Sequence, residues 1–203
     1  MTWGAGSDAF GGGPAAGHGR DEPIELVGTH LRLTGVIALG RFGRLSDLIN
    51  ASRGYVRVRD ARLLRRSGDP TSLVLPELMV DQDEISFIAQ HQAERPDRGA
   101  ATGFVDLGFA DNVEARTARE FVMFTPGHTV TGIAHVFGRT DLAGFVDAAE
   151  PRFVPVTGVT TRSLADRRII SHYNLVLINR TQMIAASEIG RQGDIAPEDV
   201  PEL

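Results

Sequence analysis

The stretch Arg32 to Leu39, RLTGVIAL, returns further along the chain as Thr129 to Val136, TVTGIAHV. Thr34-Gly35-Val36 lies over Thr131-Gly132-Ile133, a shift of 97 residues (131 minus 34). The same shift places Ile24, Leu26 and Val27 over Phe121, Met123 and Phe124, and Leu45, Leu48, Ile49 and Asn50 over Leu142, Phe145, Val146 and Asp147. After one inserted residue the shift is 98 (153 minus 55), and Tyr55, Val56 and Val58 lie over Phe153, Val154 and Val156. Leu78-Met79-Val80-Asp81 then matches Val176-Leu177-Ile178-Asn179, and Ile85 matches Met183. An almost constant offset over so many positions marks two copies of one unit.

Period-two alternation in each copy predicts strands, and one short i, i+3, i+4 apolar stripe predicts a helix. In the first copy the strands fall at about 24–28, 31–39, 54–59, 61–66 and 73–80, with the helix at about 44–52 and a tight turn, DQDE, leading into a last short strand, ISFIA. In the second they fall near 120–125, 129–137, 152–157, 159–164 and 171–178, with the helix at about 141–148 and Thr140 as its N-cap. The expected fold is mainly β (α+β): two tandem β-β-α-β-β-β modules. A module of this size buries little apolar surface alone, so the two are expected to pack as a pseudo-dimer about a twofold axis. The implied organisation is a flexible, disordered Gly-rich N-terminal tail (1–22), a first module (23–91), a linker or docking segment (92–119), a second module (120–190) and a C-terminal tail (191–203). Within the linker, GFVDLGFA carries Phe104, Val105, Leu107 and Phe109, which favours docking as an extra strand.

Composition narrows the chemistry. The 203 residues are 42% hydrophobic and 23% charged with net charge -5, which gives no overall pull toward nucleic acid or anionic membrane. There is no cysteine, which removes disulfides, thiolate catalysis and cysteine-bound metals. All 21 basic residues are arginine; without lysine, neither a Walker-type phosphate loop nor a pyridoxal Schiff base can be built. The N-terminus has neither the basic nor the apolar region of a secretory signal, and the longest apolar runs fall far short of the roughly 20 residues of a membrane helix. A cytoplasmic location is expected.

GRLSDLIN at 43–50, YVRVRDAR at 55–62 and VDQDEI at 80–85 together resemble an uncharacterised bacterial family of small β-rich modules. Its helix has the form Gly-Arg-Leu-Ser-Asp-x-x-Asn. The second copy shares only the apolar skeleton, with Ala143-Gly144 in place of the Ser-Asp pair. The resemblance implies a fold and a bacterial origin and carries no activity.

Candidate sites are few. Gly40, Gly43, Arg41 and Arg44 could cradle an anion at a helix start, but the matching stretch in the second copy turns from strand to helix without them, so the glycines are read as a hinge. The histidines His18, His30, His91, His128, His135 and His172 show no ligand spacing; His128 and His135, seven apart on a strand, point to opposite faces. No serine sits in a nucleophile elbow, and Asp81, Asp83 and Glu84 are read as turn residues. On RGYVRVRDARLLRR, alternation puts Tyr55, Arg57 and Arg59 on one face, an arrangement that can hold single-stranded nucleic acid. No catalytic, cofactor or metal residue is assigned. The reading is a non-catalytic assembly or adaptor subunit that binds a protein partner or its own copies through sheet edges and tails, with Trp3, Phe10, Arg41, Arg44, Phe104 and Phe109 as candidate contacts. The alternatives are a small-ligand sensor using the cleft between modules, and RNA or single-stranded DNA binding through 53–66.

Overall fold

The structure, a computed structural model, describes residues 20–64, 73–90, 116–137 and 141–189. Trp3, Phe10, Phe104 and Phe109 lie outside them, as do the glycine-rich tail, most of the expected linker, His18, His91 and Thr140.

The fold is mainly β, a single antiparallel sheet of ten strands. The N-terminal half holds β1 (Asp21–Gly28), β2 (Arg32–Ala38), helix α1 (Leu45–Ala51), β3 (Tyr55–Leu63), β4 (Val74–Asp81) and β5 (Ile85–Gln90). The C-terminal half holds β6 (Arg116–Thr125), β7 (His128–Phe137), helix α2 (Leu142–Asp147), β8 (Phe153–Ser163), β9 (Ile170–Asn179) and β10 (Ala185–Glu188). A 3-10 turn joins the last two strands of each half, Gln82–Glu84 and Arg180–Gln182. β6 starts inside the segment read as linker.

The two segments expected at 54–59 and 61–66 are one strand, β3. Asp60 takes a left-handed φ of 50°, and at the matching place in β8 Gly158 has φ 59°. Each is an extra residue: Val36 faces Arg59 and Thr34 faces Arg62, while Ile133 faces Thr157 and Thr131 faces Thr160. Such bulges bend a strand without ending it. At both bends the facing strand carries glycine. A Cβ on Gly35 would lie 2.4 Å from Val58 Cγ1 and 2.8 Å from the Arg59 carbonyl oxygen; one on Gly132 would lie 2.8 Å from Val156 Cγ1 and 3.0 Å from the Thr157 oxygen.

The helices are short and depend on packing rather than propensity. Leu45 and Ile49 of α1 are buried, and Phe145 of α2 stacks on Phe121 with ring centroids 4.6 Å apart. Asp141, not Thr140, caps α2: its Oδ1 accepts from the Gly144 N–H at 2.8 Å. A carboxylate three residues before the donor matches the reach of an N-cap side chain.

The sheet order is β10-β6-β7-β8-β9-β5-β1-β2-β3-β4. Each half therefore runs last strand, first, second, third, fourth, and the halves meet where β9 pairs with β5. A twofold axis would pair like with like, but β9 matches β4 in sequence, not β5. The halves are related head to tail, which corrects the twofold expectation. Two apolar clusters fill the interior, and each crosses the meeting point. Phe153 and Leu177 complete the cluster of the N-terminal half; Val27, Phe87 and Ala89 complete that of the C-terminal half.

Candidate functional site

The junction between the halves begins as a backbone ladder, Phe87, Ile88 and Ala89 of β5 facing Ile178, Leu177 and Val176 of β9. Amide side chains lock one of its ends. The Asn50 side chain donates to the Phe153 carbonyl at 2.9 Å and accepts from the Phe153 N–H at 2.8 Å, so one side chain of α1 takes both backbone groups where β8 begins. Asn179, fully buried, donates through Nδ2 to the carbonyls of Gln82 and Ile85 at 2.9 and 2.8 Å, and its Oδ1 accepts from the N–H and hydroxyl of Thr181. Gln82 in turn donates to the Ile49 carbonyl at 3.0 Å. Arg152 reaches Asp83, and Gln182 donates to the Asp83 carbonyl. These groups satisfy polar backbone that burial would otherwise strand, which is why they sit at the joint.

On the other side of the ladder, Glu25 is 5% exposed. Tyr173 donates to Glu25 Oε2 at 2.9 Å, and Arg32 Nε donates to Oε1 at 2.5 Å. Burial raises the pKa of the Tyr173 phenol, and the Glu25 carboxylate raises it further. Burial opposes the charge on Arg32, but the hydrogen bond and charge of Glu25 outweigh it and the pKa rises. The trio is a structural tie between β1, β2 and β9, holding its proton on tyrosine and its charge on arginine.

The two outer strands, β4 and β10, have a described strand on one side only. Four apolar positions inside the junction have matched positions at these ends, and the two sets differ sharply in exposure. Ile49, Phe153, Leu177 and Val27 are 1%, 0%, 0% and 2% exposed, whereas Val146, Tyr55, Met79 and Phe124, in the same order, are 36%, 55%, 52% and 37% exposed. Among the described residues these exposed apolar side chains border ladder edges that no other described strand pairs.

Tyr55, Arg57 and Arg59 do share the outer face of β3, as alternation requires, but the arginines are engaged: Arg57 pairs with Glu77, and Arg59 with Asp21 at 2.5 Å. Arg41 lies over the ring of Phe42, 5.3 Å from its centroid, and Arg44 is the N-cap residue of α1 without a side-chain capping bond. Gly40, with φ 56°, closes a turn in which the Phe42 N–H donates to the Leu39 carbonyl, as the hinge reading expects. The halves meet through the β5–β9 ladder. Among the described residues no group of three or more His, Asp or Glu is placed to hold a metal, and no helix is long and apolar enough to cross a membrane.

Sequence reasoning singled out Tyr55 and missed the junction residues Asn50, Asn179, Gln82, Glu25, Arg152 and Tyr173. A usable signal existed: positions matched between the copies where an amide on one side becomes a carboxylate on the other, Asn50 with Asp147 and Asn179 with Asp81. Compared with known proteins, the chain matches no family model, no curated protein and no solved structure.

Proposed function

We propose that this chain is a non-catalytic assembly subunit made of two tandem modules, and that it works through the outer edges of its sheet. The observation that supports the reading is the pair of ladder ends, β4 and β10, bordered by the exposed apolar side chains Tyr55, Met79, Phe124 and Val146. An edge of this kind gains backbone hydrogen bonds and apolar burial when another strand adds to it. Its occupant is a protein strand, since nucleic acid or a small acid would not use a row of alternating N–H and C=O groups beside aliphatic side chains.

Photo-crosslinking in cells tests this. A photoreactive residue placed at Met79 or at Phe124 is expected to link to protein, whether a second copy or another chain. Crosslinks to nucleic acid alone, or no protein adduct at either edge, would overturn the proposal.

A further inference from the structure

The internal junction is a worked example of how one half of this molecule receives another, and the molecule displays both sides of that junction again at its ends. β9 pairs with β5; β4, an end strand among the described residues, matches β9 in sequence, and β10, the other end strand, matches β5. We infer that copies of the chain join head to tail, β10 of one copy pairing with β4 of the next in the register of the internal junction. The inference rests on the assembly reading above and names its partner.

The register follows by transfer. Phe87 facing Ile178, Ile88 facing Leu177 and Ala89 facing Val176 become Ala185 facing Val80, Ala186 facing Met79 and Ser187 facing Leu78 of the next copy. Pro76, which cannot donate to a ladder, lies just outside these three pairs. The side chains transfer with the backbone. Tyr55 and Met79 take the places of Phe153 and Leu177 and enter the apolar cluster of the preceding copy's C-terminal half, while Phe124 takes the place of Val27 and enters the cluster of the next copy. Val146 on α2 stands where Ile49 stands on α1, the helix that packs against β8 across the junction. The buried polar trio also transfers coherently. Glu25, Arg32 and Tyr173 become Val122, Thr129 and Leu75, an uncharged set that needs no partner.

Not everything repeats, and the differences set the strength of the contact. Asp81 stands in place of Asn179, Asp147 in place of Asn50, and Gly54 in place of Arg152. A carboxylate cannot donate to the carbonyls that Asn179 serves, so the contact between copies lacks the amide clamp and is looser than the one within a chain. Because the contact joins unlike edges it is heterologous, and it continues from copy to copy until a ring closes or a filament grows.

The test uses the full chain and two surface variants, Met79→Glu, which blocks β4, and Phe124→Glu, which blocks the β10 side. Mass is measured by light scattering and sedimentation over a wide concentration range, with folding checked by circular dichroism. Wild type is expected to exceed monomer mass, either levelling at a fixed ring size or growing steadily. Each variant alone is expected to be monomeric, and a mixture of the two is expected to form a 1:1 dimer and stop there. A second measurement exploits the absence of native cysteine: Met79→Cys combined with Ala186→Cys puts the two thiols on directly facing residues, within the Cα range a disulfide accepts. That double variant is expected to crosslink into ladders on mild oxidation, and each single variant is not. Wild type that stays monomeric, a single variant that keeps wild-type mass, or a mixture that does not dimerise overturns the inference. Monomeric wild type whose edges still crosslink to another protein overturns the inference alone; edges that meet no protein at all overturn the assembly reading with it.

Discussion

Replacing Asn179 by aspartate exchanges one heavy atom, nitrogen for oxygen, and reverses the polarity of the most buried clamp in the junction. The native Nδ2 serves the Gln82 and Ile85 carbonyls at 2.9 and 2.8 Å in a site with no solvent exposure. A carboxylate there loses both donations and turns a negative oxygen toward two carbonyl oxygens. Each lost bond costs about 1 to 1.5 kcal/mol, and the buried charge adds to this. Arg152 Nε, 3.4 Å from Oδ1, offsets part of the charge. The expected loss at pH 7 is about 3 kcal/mol. Protonation returns one O–H donor, so the loss shrinks to about 1 kcal/mol in acid. The sign follows from linkage: burial and the facing carbonyls raise the folded pKa of the introduced carboxyl above its unfolded value, so stability is recovered below the unfolded value and lost as pH rises through the folded one. Urea unfolding of the Asn179→Asp variant and wild type, differenced at each pH between about 4 and 7, reads this directly. A loss under about 1 kcal/mol at pH 7, or one that does not change with pH, would refute the reasoning that these amide donations hold the halves together.

Three further outcomes are expected. Gly35→Ala drives a methyl into Val58 and the Arg59 carbonyl, closer than Gly132→Ala approaches its neighbours; urea unfolding should show about 2 to 3 kcal/mol lost for the first and less for the second. Tyr173→Phe removes the 2.9 Å bond to Glu25 and should cost about 1 kcal/mol near neutrality. Because the folded pKa of Tyr173 is raised, the tyrosine contributes stability below the unfolded value near 10 that is lost as pH rises through the folded one; wild type should weaken in that alkaline window more steeply than the variant. Asp81→Asn combined with Asp147→Asn supplies the donors that the internal junction has at Asn179 and Asn50, and light scattering should show association at lower protein concentration than wild type.

Much of the fold was legible because the apolar pattern of the sequence recurs. The shift of 97 to 98 residues fixed which strands correspond, and the spacing of Leu45, Leu48 and Ile49 gave α1 its buried side. Asp60 hid the continuity of β3, since a polar residue inside an alternating run reads as a turn, and only its left-handed backbone lets the strand bend and go on. β10 was invisible for the opposite reason. AASE has no apolar alternation, because a strand at the rim of the sheet has little to bury on its outer side until something pairs with it. The candidate site suffered most. Which edges meet is a non-local choice between strands of similar pattern, and Asn179 looks like any turn residue until β5 is beside it.

That choice between rivals is where the polar differences matter. β5 could in principle accept β9 of its own chain or β4 of another, since the two edges share an apolar pattern, so head-to-tail assembly is orderly only if the internal pairing wins everywhere. Two terms favour it. The halves are tethered, which gives the internal edge a local concentration that a free copy reaches only near the millimolar range. The bonds made by Asn179, Arg152 and Tyr173 come with β8 and β9, and the rival edge brings Asp81, Gly54 and Leu75 to the same places. Specificity is a difference of affinities, and a substitution that disfavours the wrong partner serves it as well as one that improves the right one. On this view Asp81, which would stand where Asn179 stands, keeps β4 from displacing β9 at β5, where Glu25 would also lose Tyr173; at β10 the matching positions, Val122 on β6 and Thr129 on β7, carry no charge and lose nothing. The Asp81→Asn, Asp147→Asn double change should therefore tighten association and also disorder it, giving a broader mass distribution than wild type at equal total association; a sharper one would show that the carboxylates play no part in choosing the edge.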